Sequence, residues 1–274
     1  MSTWLITGCS SGLGRALALA VLEGGDNAVV TARDIANVAD LAEAYPASAL
    51  ALALDVTDAG QIAAAVAAAG ERFGAVDVLV NNAGYGYRAA VEEGEDDAVQ
   101  RLFATNFFGA VAMIKAVLPG MRARRSGAIL NISSIGARIN PAGSGYYSAS
   151  KAALEGMSGS LRKELQPLGI TVTAVEPGAF RTDFAGRSLT QAASPIADYA
   201  PTAGVRRKEH DTAHGTQPGS PALAAQALIT VVRSGKAPEL LMLGSDAVAA
   251  ITEVLAAQHA DVEEWRSLST GTDF

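Results

Sequence analysis

"ITGCSSGLG", Ile6 to Gly14, is the stretch on which the reading of the fold turns. An apolar run, "TWLIT" (3–7), ends at Thr7, and glycines follow at 8, 12 and 14 as a helical pattern opens. Glycine permits a tight turn there and lets backbone N–H groups approach a ligand closely. The N-terminus of the following helix carries partial positive charge, so the turn is built to cradle a pyrophosphate. Alone, a glycine-rich turn is a weak signal; its place after the first strand of an alternating chain is the context that strengthens it. The spacing is G-x-x-x-G-x-G, not the G-x-G-x-x-G of ordinary dinucleotide folds.

Outward from that turn, strand and helix patterns alternate. Strand candidates are 3–7, 27–32 ("NAVVTA"), 49–54 ("ALALAL"), 76–81 ("VDVLVN"), 127–133 ("GAILNIS"), 170–176 ("ITVTAVE") and 239–243 ("ELLML"). Most are continuous apolar runs, as parallel strands covered on both faces require. Helical patterns lie at about 12–24, 35–44, 58–73, 97–123, 146–166, 220–234 and 245–257, with Asp58 and Ser220-Pro221 as helix starts. The alternation predicts an α/β fold: one domain over 1–274, a doubly wound, Rossmann-like parallel sheet of about seven strands with helices on both faces. The stretch 184–219 breaks the pattern with Ser, Thr, Pro, Gly and charge, and reads as a mobile substrate lid.

Composition narrows the function classes. With 274 residues, 49% of them hydrophobic and 18% charged, a large core is easily built. A net charge of −7 speaks against a nucleic-acid partner. The short basic cluster Arg122, Arg124 and Arg125 reads as a solvated helix end. A single cysteine, Cys9, leaves no disulfide framework and fits a reducing compartment. Without an apolar stretch of about 18 residues or a secretory pattern at Met1, the expectation is a cytoplasmic protein with no membrane partner. The sequon at Asn131 falls in a predicted buried strand and is discounted. His210, His214 and His259 have no metal-ligand spacing and read as solvated, so no metal is expected. Met113, Phe103, Phe107 and Phe108 are expected in the core.

"YYSASK", 146–151, poses a question of choice. Residues four apart share a helix face, so Lys151 lies beside Tyr147, whereas Tyr146 points elsewhere and is expected to pack or to line a pocket.

These pieces, with "LDVTD" (54–58), "NNAG" (81–84), Asn106 in "TNFFG", "NISS" (131–134) and "PGAFRT" (177–182), resemble the short-chain dehydrogenase/reductase family, single-domain and carbonyl-reductase-like, over about 3–183. The resemblance implies a catalytic set of Asn106, Ser134, Tyr147 and Lys151. Ser134 is selected over Ser133 because the family's serine precedes the tyrosine by thirteen residues. Carbonyl reduction needs a proton for oxygen as hydride reaches carbon; an ammonium near the phenol lowers its pKa from about 10, as would the positive ring of oxidised nicotinamide. Ser134 is expected to hold the substrate oxygen, and Asn106 to support a water-linked proton path behind Lys151. The implied cofactor contacts are Gly8, Ser10, Ser11, Gly12, Leu13 and Gly14 at the phosphates, Asp55 and Val56 at the adenine, and Asn82, Ala83 and Gly84 under the ribose. Tyr147, Lys151, Pro177, Gly178 and Thr182 are expected around the nicotinamide, with Asn81 structural and Ser133 either structural or near the cofactor.

After the second strand, "VVTARD" puts Ala32 where an NAD site wants a carboxylate, and Arg33 next. A guanidinium there suits a 2′-phosphate, with Ser10 or Ser11 adding a hydroxyl, so NADP(H) is the expected cofactor. Tyr85, Tyr87, Tyr146, Phe180 and Phe184 are candidates for an aromatic wall around a bulky ketone, and no basic cluster marks the reacting half. The reading is an NADPH-dependent carbonyl reductase acting on a ketone/alcohol pair. The alternatives are an NAD-linked alcohol or steroid-type dehydrogenase and a catalytically silent dinucleotide sensor. Pairing through 97–123 and 146–166 into a homodimer or homotetramer is open, as is a monomer.

Overall fold

In a computed structural model of the chain, residues 1–182, 184, 188–213 and 216–274 are described, with only the backbone of 209–213. The strands in chain order are β1 (Thr3–Ile6), β2 (Asn27–Ala32), β3 (Ala49–Ala53), β4 (Val78–Asn81), β5 (Gly86–Arg88), β6 (Gly127–Ile132), β7 (Ile170–Pro177), β8 (Leu189–Gln191) and β9 (Leu240–Leu243). Seven of them form one parallel sheet in the order β3-β2-β1-β4-β6-β7-β9. These are the seven apolar runs of the sequence. The order reverses between β1 and β4, which places a crevice at their carboxyl ends.

The helices are α1 (Gly12–Glu23), α2 (Ala39–Ala44), α3 (Ala59–Phe73), α4 (Asp96–Phe103), α5 (Ala110–Arg124), α6 (Gly136–Ile139), α7 (Gly145–Leu165), α8 (Ala203–Ala213), α9 (Pro221–Arg233), α10 (Ser245–Glu264) and α11 (Arg266–Thr270). Asp58 Oδ1 starts α3 by accepting from the Gly60 and Gln61 N–H groups at 2.8 and 3.0 Å. Ser220 caps α9, with Pro221 in its first turn. On one face of the sheet, Leu17, Val21, Leu228 and Ile229 of α1 and α9 pack on Trp4, Ile6 and Val30. On the other, Ile62, Met113, Val117 and Leu161 of α3, α5 and α7 pack on Leu5, Leu79, Ile129 and Val172.

Several local expectations are corrected. The helix read at 97–123 is interrupted by a π-helical turn, Ala104–Gly109, between α4 and α5. The run Asp96–Arg124 is long and apolar enough to cross a membrane by length and composition, yet it lies along the sheet with Leu102, Met113, Ile114, Val117 and Met121 buried. Met113 is buried as expected, but Phe103 and Phe107 are only half-buried, and Phe108 is 60% exposed and stacks edge-on against Phe107 at 5.0 Å. The helix read at 35–44 splits, since Asp34 caps a separate 3-10 turn, Ile35–Asn37, ahead of α2. The segment 184–219 is not without structure. β8 pairs in parallel with β5, a 3-10 turn covers Ala197–Tyr199, and α8 follows. Three-residue strands and the mostly polar α8 carry too little hydrophobic period to be read from sequence.

Candidate active site

The crevice at the β1–β4 reversal is a cleft of about 1200 Å³. Its wall comes from the turns at the carboxyl ends of successive strands: Gly8 and 10–13 after β1, Ala32 and Arg33 at the end of β2, 54–57 after β3, 82–85 after β4, 132–136 after β6, and 177–180 with Thr182 after β7. Gly8 adopts φ +74°, and a Cβ there would come within 3.0 Å of Ala83 Cα. Gly12, at φ +61°, would meet Thr182 at 3.3 Å. Both glycines thus keep the turn thin and the cleft open. Gly14 stands behind the wall, where a Cβ would lie 2.4 Å from both Gly8 O and Asn82 Nδ2.

Asn82 and Thr7 bind the two central turns together. Asn82 Nδ2 donates to Thr7 O and Gly8 O at 2.9 and 3.0 Å, and Thr7 Oγ1 accepts from the Asn82 and Ala83 N–H groups at 3.0 and 2.9 Å. Ser11 precedes α1 without a side-chain capping bond, so the first-turn N–H groups are free to meet an anion. The thin glycine turn and this helix end fit the pyrophosphate of a dinucleotide. Arg33 is exposed at the rim and Ala32 is buried beneath it. Asp34 turns away and accepts from Ala36 N–H at 3.0 Å. Asp55 Oδ1 is held by Thr57, through its N–H at 2.9 Å and hydroxyl at 2.7 Å.

At the other end of the cleft, α7 brings Tyr147 and Lys151 to one face. Lys151 Nζ lies 5.9 Å from the Tyr147 ring centroid and donates to Ile132 O at 2.8 Å. Ser134 Oγ accepts from Gly136 N–H at 3.0 Å, and a Cβ on Gly136 would lie 3.3 Å from Ser134 Oγ and 3.5 Å from Tyr147 Cε1, so the two side chains meet at that turn. Burial pushes the Tyr147 phenol up to about 12, against the hydrogen bond from Ser134 and the charge of Arg206. Burial likewise pulls Lys151 down to about 8, and the Glu155 charge opposes that fall. Desolvation of Tyr147 thus outweighs the lowering by Ser134 and Arg206, and the phenol stands above its ordinary value.

Asn106, buried in the π turn, is outside the cleft wall. It accepts from Tyr85 N–H at 3.0 Å and donates to Tyr85 O at 2.9 Å and Ser150 Oγ at 3.2 Å. A Cβ on Gly84 would lie 3.0 Å from Asn106 Oδ1 and 3.3 Å from Lys151 Nζ, so the three meet behind the wall. Tyr146 points away, as its five-residue offset from Lys151 requires, and donates to Val91 O at 2.6 Å. Tyr85, Tyr87, Phe180 and Phe184 line the cleft, with Phe184 5.8 Å from Tyr147 ring to ring; Tyr146 is absent from that wall. Asn81 donates to Asn131 across β4 and β6 at 2.8 Å.

Sequence reasoning missed two features. Arg88, Arg101 and Arg206 border the cleft, so positive charge does surround the reacting half. They are far apart in sequence and form no readable cluster. Beneath the site, Arg138 joins Glu155 and Glu176. Glu176, a charge inside an otherwise apolar strand, was the available signal. His259 is exposed, while the His210 side chain and His214 lie outside the described residues. Among the described residues no three His, Cys, Asp or Glu gather as metal ligands.

Comparison with known proteins agrees with this geometry. Residues 2–193 match the family model described as short chain dehydrogenase. The chain is 37% identical over 267 residues to Oxidoreductase BOA17 of Botryotinia fuckeliana, covering 97% of each. It superposes on a short-chain dehydrogenase from Streptomyces avermitilis with TM-score 0.92 and 43% identity over 100% of both chains. A 3-ketoacyl-(acyl-carrier-protein) reductase from Brucella melitensis, complexed with NADH, gives TM-score 0.75 and 28% identity over 88% of this chain and 96% of that one. A glycine turn at a sheet reversal, a Ser–Tyr–Lys group facing it and relatives matched along the full length lead to one assignment: the chain belongs to the short-chain dehydrogenase/reductase family and is a nicotinamide-dinucleotide-dependent oxidoreductase.

Proposed function

We propose that the chain is an NADPH-dependent carbonyl reductase acting on a bulky aromatic or alicyclic ketone, with Tyr147 as the proton donor. One observation carries the reading: Tyr147 and Ser134 line a wide cleft together, with Phe184 against the Tyr147 ring and Lys151 behind it. When bound, the nicotinamide supplies the hydride. Ser134 donates to the substrate oxygen as negative charge develops there. Tyr147, its pKa up to about 12, keeps its proton across the working pH range and yields it to that oxygen. Lys151 holds the nicotinamide ribose and places a cation beneath the phenol. Asn106 fixes the Tyr85 backbone behind Gly84 and so keeps Lys151's surroundings in place. The lid role falls to the parts of 184–219 that border the cleft, Phe184, 188–191, Arg206 and Gln217.

The choice of NADPH is supported by the second strand's end. Of the carboxylates near that position, Asp34 is engaged as a cap and Asp55 is held by Thr57, and Arg33 is left to meet a 2′-phosphate. Use of NADH, as in the Brucella complex, is the competing reading. Initial rates with a bulky aromatic ketone, NADPH and NADH in parallel, decide between them. A rate with NADPH at least tenfold above NADH is expected; equal rates or a preference for NADH would refute the assignment.

A further inference from the structure

Behind the reacting groups lies a cluster to which the reaction as described gives no role. Glu155 follows Lys151 by four residues on α7, so both lie on one helix face. Ser133 Oγ donates to Glu155 Oε1 at 2.5 Å. Arg138 Nε, from α6, lies 3.1 Å from Glu155 Oε2 and 3.2 Å from Glu176 Oε1 on β7. The Glu176 side chain is fully buried and that of Glu155 is 8% exposed. Among the described residues Glu176 Oε2 has no hydrogen-bond partner. The segments that carry Ser134, Tyr147 with Lys151, and Pro177 with Gly178 thus meet at one guanidinium.

Two carboxylates buried around one cation are an expensive way to join three elements. Well-packed apolar side chains commonly hold such a junction at least as firmly. The arrangement is better explained by charge. We propose that Glu155 is a positioning residue for Lys151: fixed by Ser133, Arg138 and Glu176, its carboxylate stands one turn away and holds the lysine as an ammonium behind Tyr147. This rests on the reading of Tyr147 and Lys151 as the reacting pair.

The other charged groups facing Glu155 are few. Arg138 and Glu176 touch it, while Lys163 and Glu239 line the outer rim of the same hollow. Asp246, in the first turn of α10, is turned to the cleft side, where its Oδ2 accepts from Ala179 N–H at 2.7 Å. Burial, with Glu176 opposing ionisation, pushes Glu155 up to about 7, still below the value of about 8 for Lys151. Where Glu155 is ionised, its charge favours the protonated form of Lys151 against burial. Removing the Glu155 charge therefore lets Lys151 lose its proton at a lower pH.

The test is a titration of the full chain carrying 13C-labelled lysine, with and without NADPH, Lys151 being assigned by comparison with Lys151→Arg. In the unmodified chain the Lys151 signal should show a second inflection where Glu155 titrates. Glu155→Gln should abolish it and lower the Lys151 midpoint by about one pH unit. Glu155→Asp, which keeps the charge, should restore most of that fall. The alkaline limb of kcat/KM should move down with the same variant. An unmoved Lys151 midpoint in Glu155→Gln, or equal falls with Gln and Asp, overturns the proposal. Should Glu155→Gln not fold, the second inflection in the unmodified chain decides, its presence supporting the proposal and its absence overturning it. The titration needs no turnover, so an absent reductase activity would count against the functional reading alone.

Discussion

Replacing Glu93 by alanine should loosen the segment 192–207 and leave the sheet intact. The Glu93 side chain is fully buried at the end of the 3-10 turn Val91–Glu93. It accepts from Ala90 N–H at 2.7 Å and from Ile196 N–H at 2.8 Å, and it pairs with Arg207 of α8. Its neighbours reach the same segment: Glu95 accepts from Ala193 N–H at 2.8 Å and Glu92 from the Tyr199 hydroxyl at 2.6 Å. Alanine leaves two N–H groups and a mostly buried guanidinium without their shared acceptor. Breaking one side of a buried pair costs about 3–5 kcal/mol. Ile196 is half-buried and its N–H can turn to water, so the lower end, about 3 kcal/mol, applies. At about 1.4 kcal/mol per tenfold, that raises the opened population on the order of 100-fold. Hydrogen exchange read by mass spectrometry should show amides of 192–207 exchanging faster by that order, with β1, β4 and β6 unchanged. Glu93→Gln should fall between. Burial by itself would raise the Glu93 carboxyl, but the Ile196 and Ala90 N–H groups and Arg207 together hold it below the usual range. Its stabilisation is therefore complete above the ordinary glutamate value of about 4.3 and is lost as pH falls through the lower folded value. Unchanged exchange at 192–207, or equal acceleration throughout the sheet, would refute this reasoning.

Three further expectations are more local. Arg33→Ala should weaken NADPH binding tenfold to about a hundredfold, the worth of charge-assisted hydrogen bonds, and leave NADH binding unchanged; fluorescence titration with both dinucleotides checks it, and parallel losses would contradict it. Gly14→Ala puts a methyl 2.4 Å from Gly8 O and Asn82 Nδ2, which should cost about 1–3 kcal/mol, lower Tm by several degrees and weaken dinucleotide binding. An unshifted melting curve would show that the turn yields freely. Cys9 is fully buried and burial pushes its thiol up to about 12, so a disulfide reagent should leave it untouched near neutral pH until denaturant is added. Rapid labelling of the folded chain would be the contrary result.

What could be read in the sequence was whatever a local period or a fixed spacing encodes. All seven sheet strands were legible because most are continuous apolar runs, and Tyr147 was separable from Tyr146 because residues four apart on a helix share a face and residues five apart do not. The turn glycines could be placed but not ranked: Gly8 and Gly12 line the cleft while Gly14 packs behind it, a distinction set by Asn82 from a different strand. The β5–β8 pair was invisible because three residues carry no measurable period. The Glu155–Arg138–Glu176 cluster and the arginines of the cleft rim were invisible for another reason. Their partners lie on separate elements, and only the folded sheet brings them together. Burial, which raises the Tyr147 phenol, cannot be read from two residues on one helix.

The most direct test of the central claim is the Tyr147→Phe variant, assayed for NADPH binding and for ketone reduction side by side. Phenylalanine keeps the ring against Phe184 and removes only the hydroxyl that Ser134 engages. The account predicts an unchanged NADPH dissociation constant with kcat/KM lowered by about 10²–10⁴, the usual contribution of a positioned acid. Reduction at an undiminished rate would contradict it and place the proton donor elsewhere.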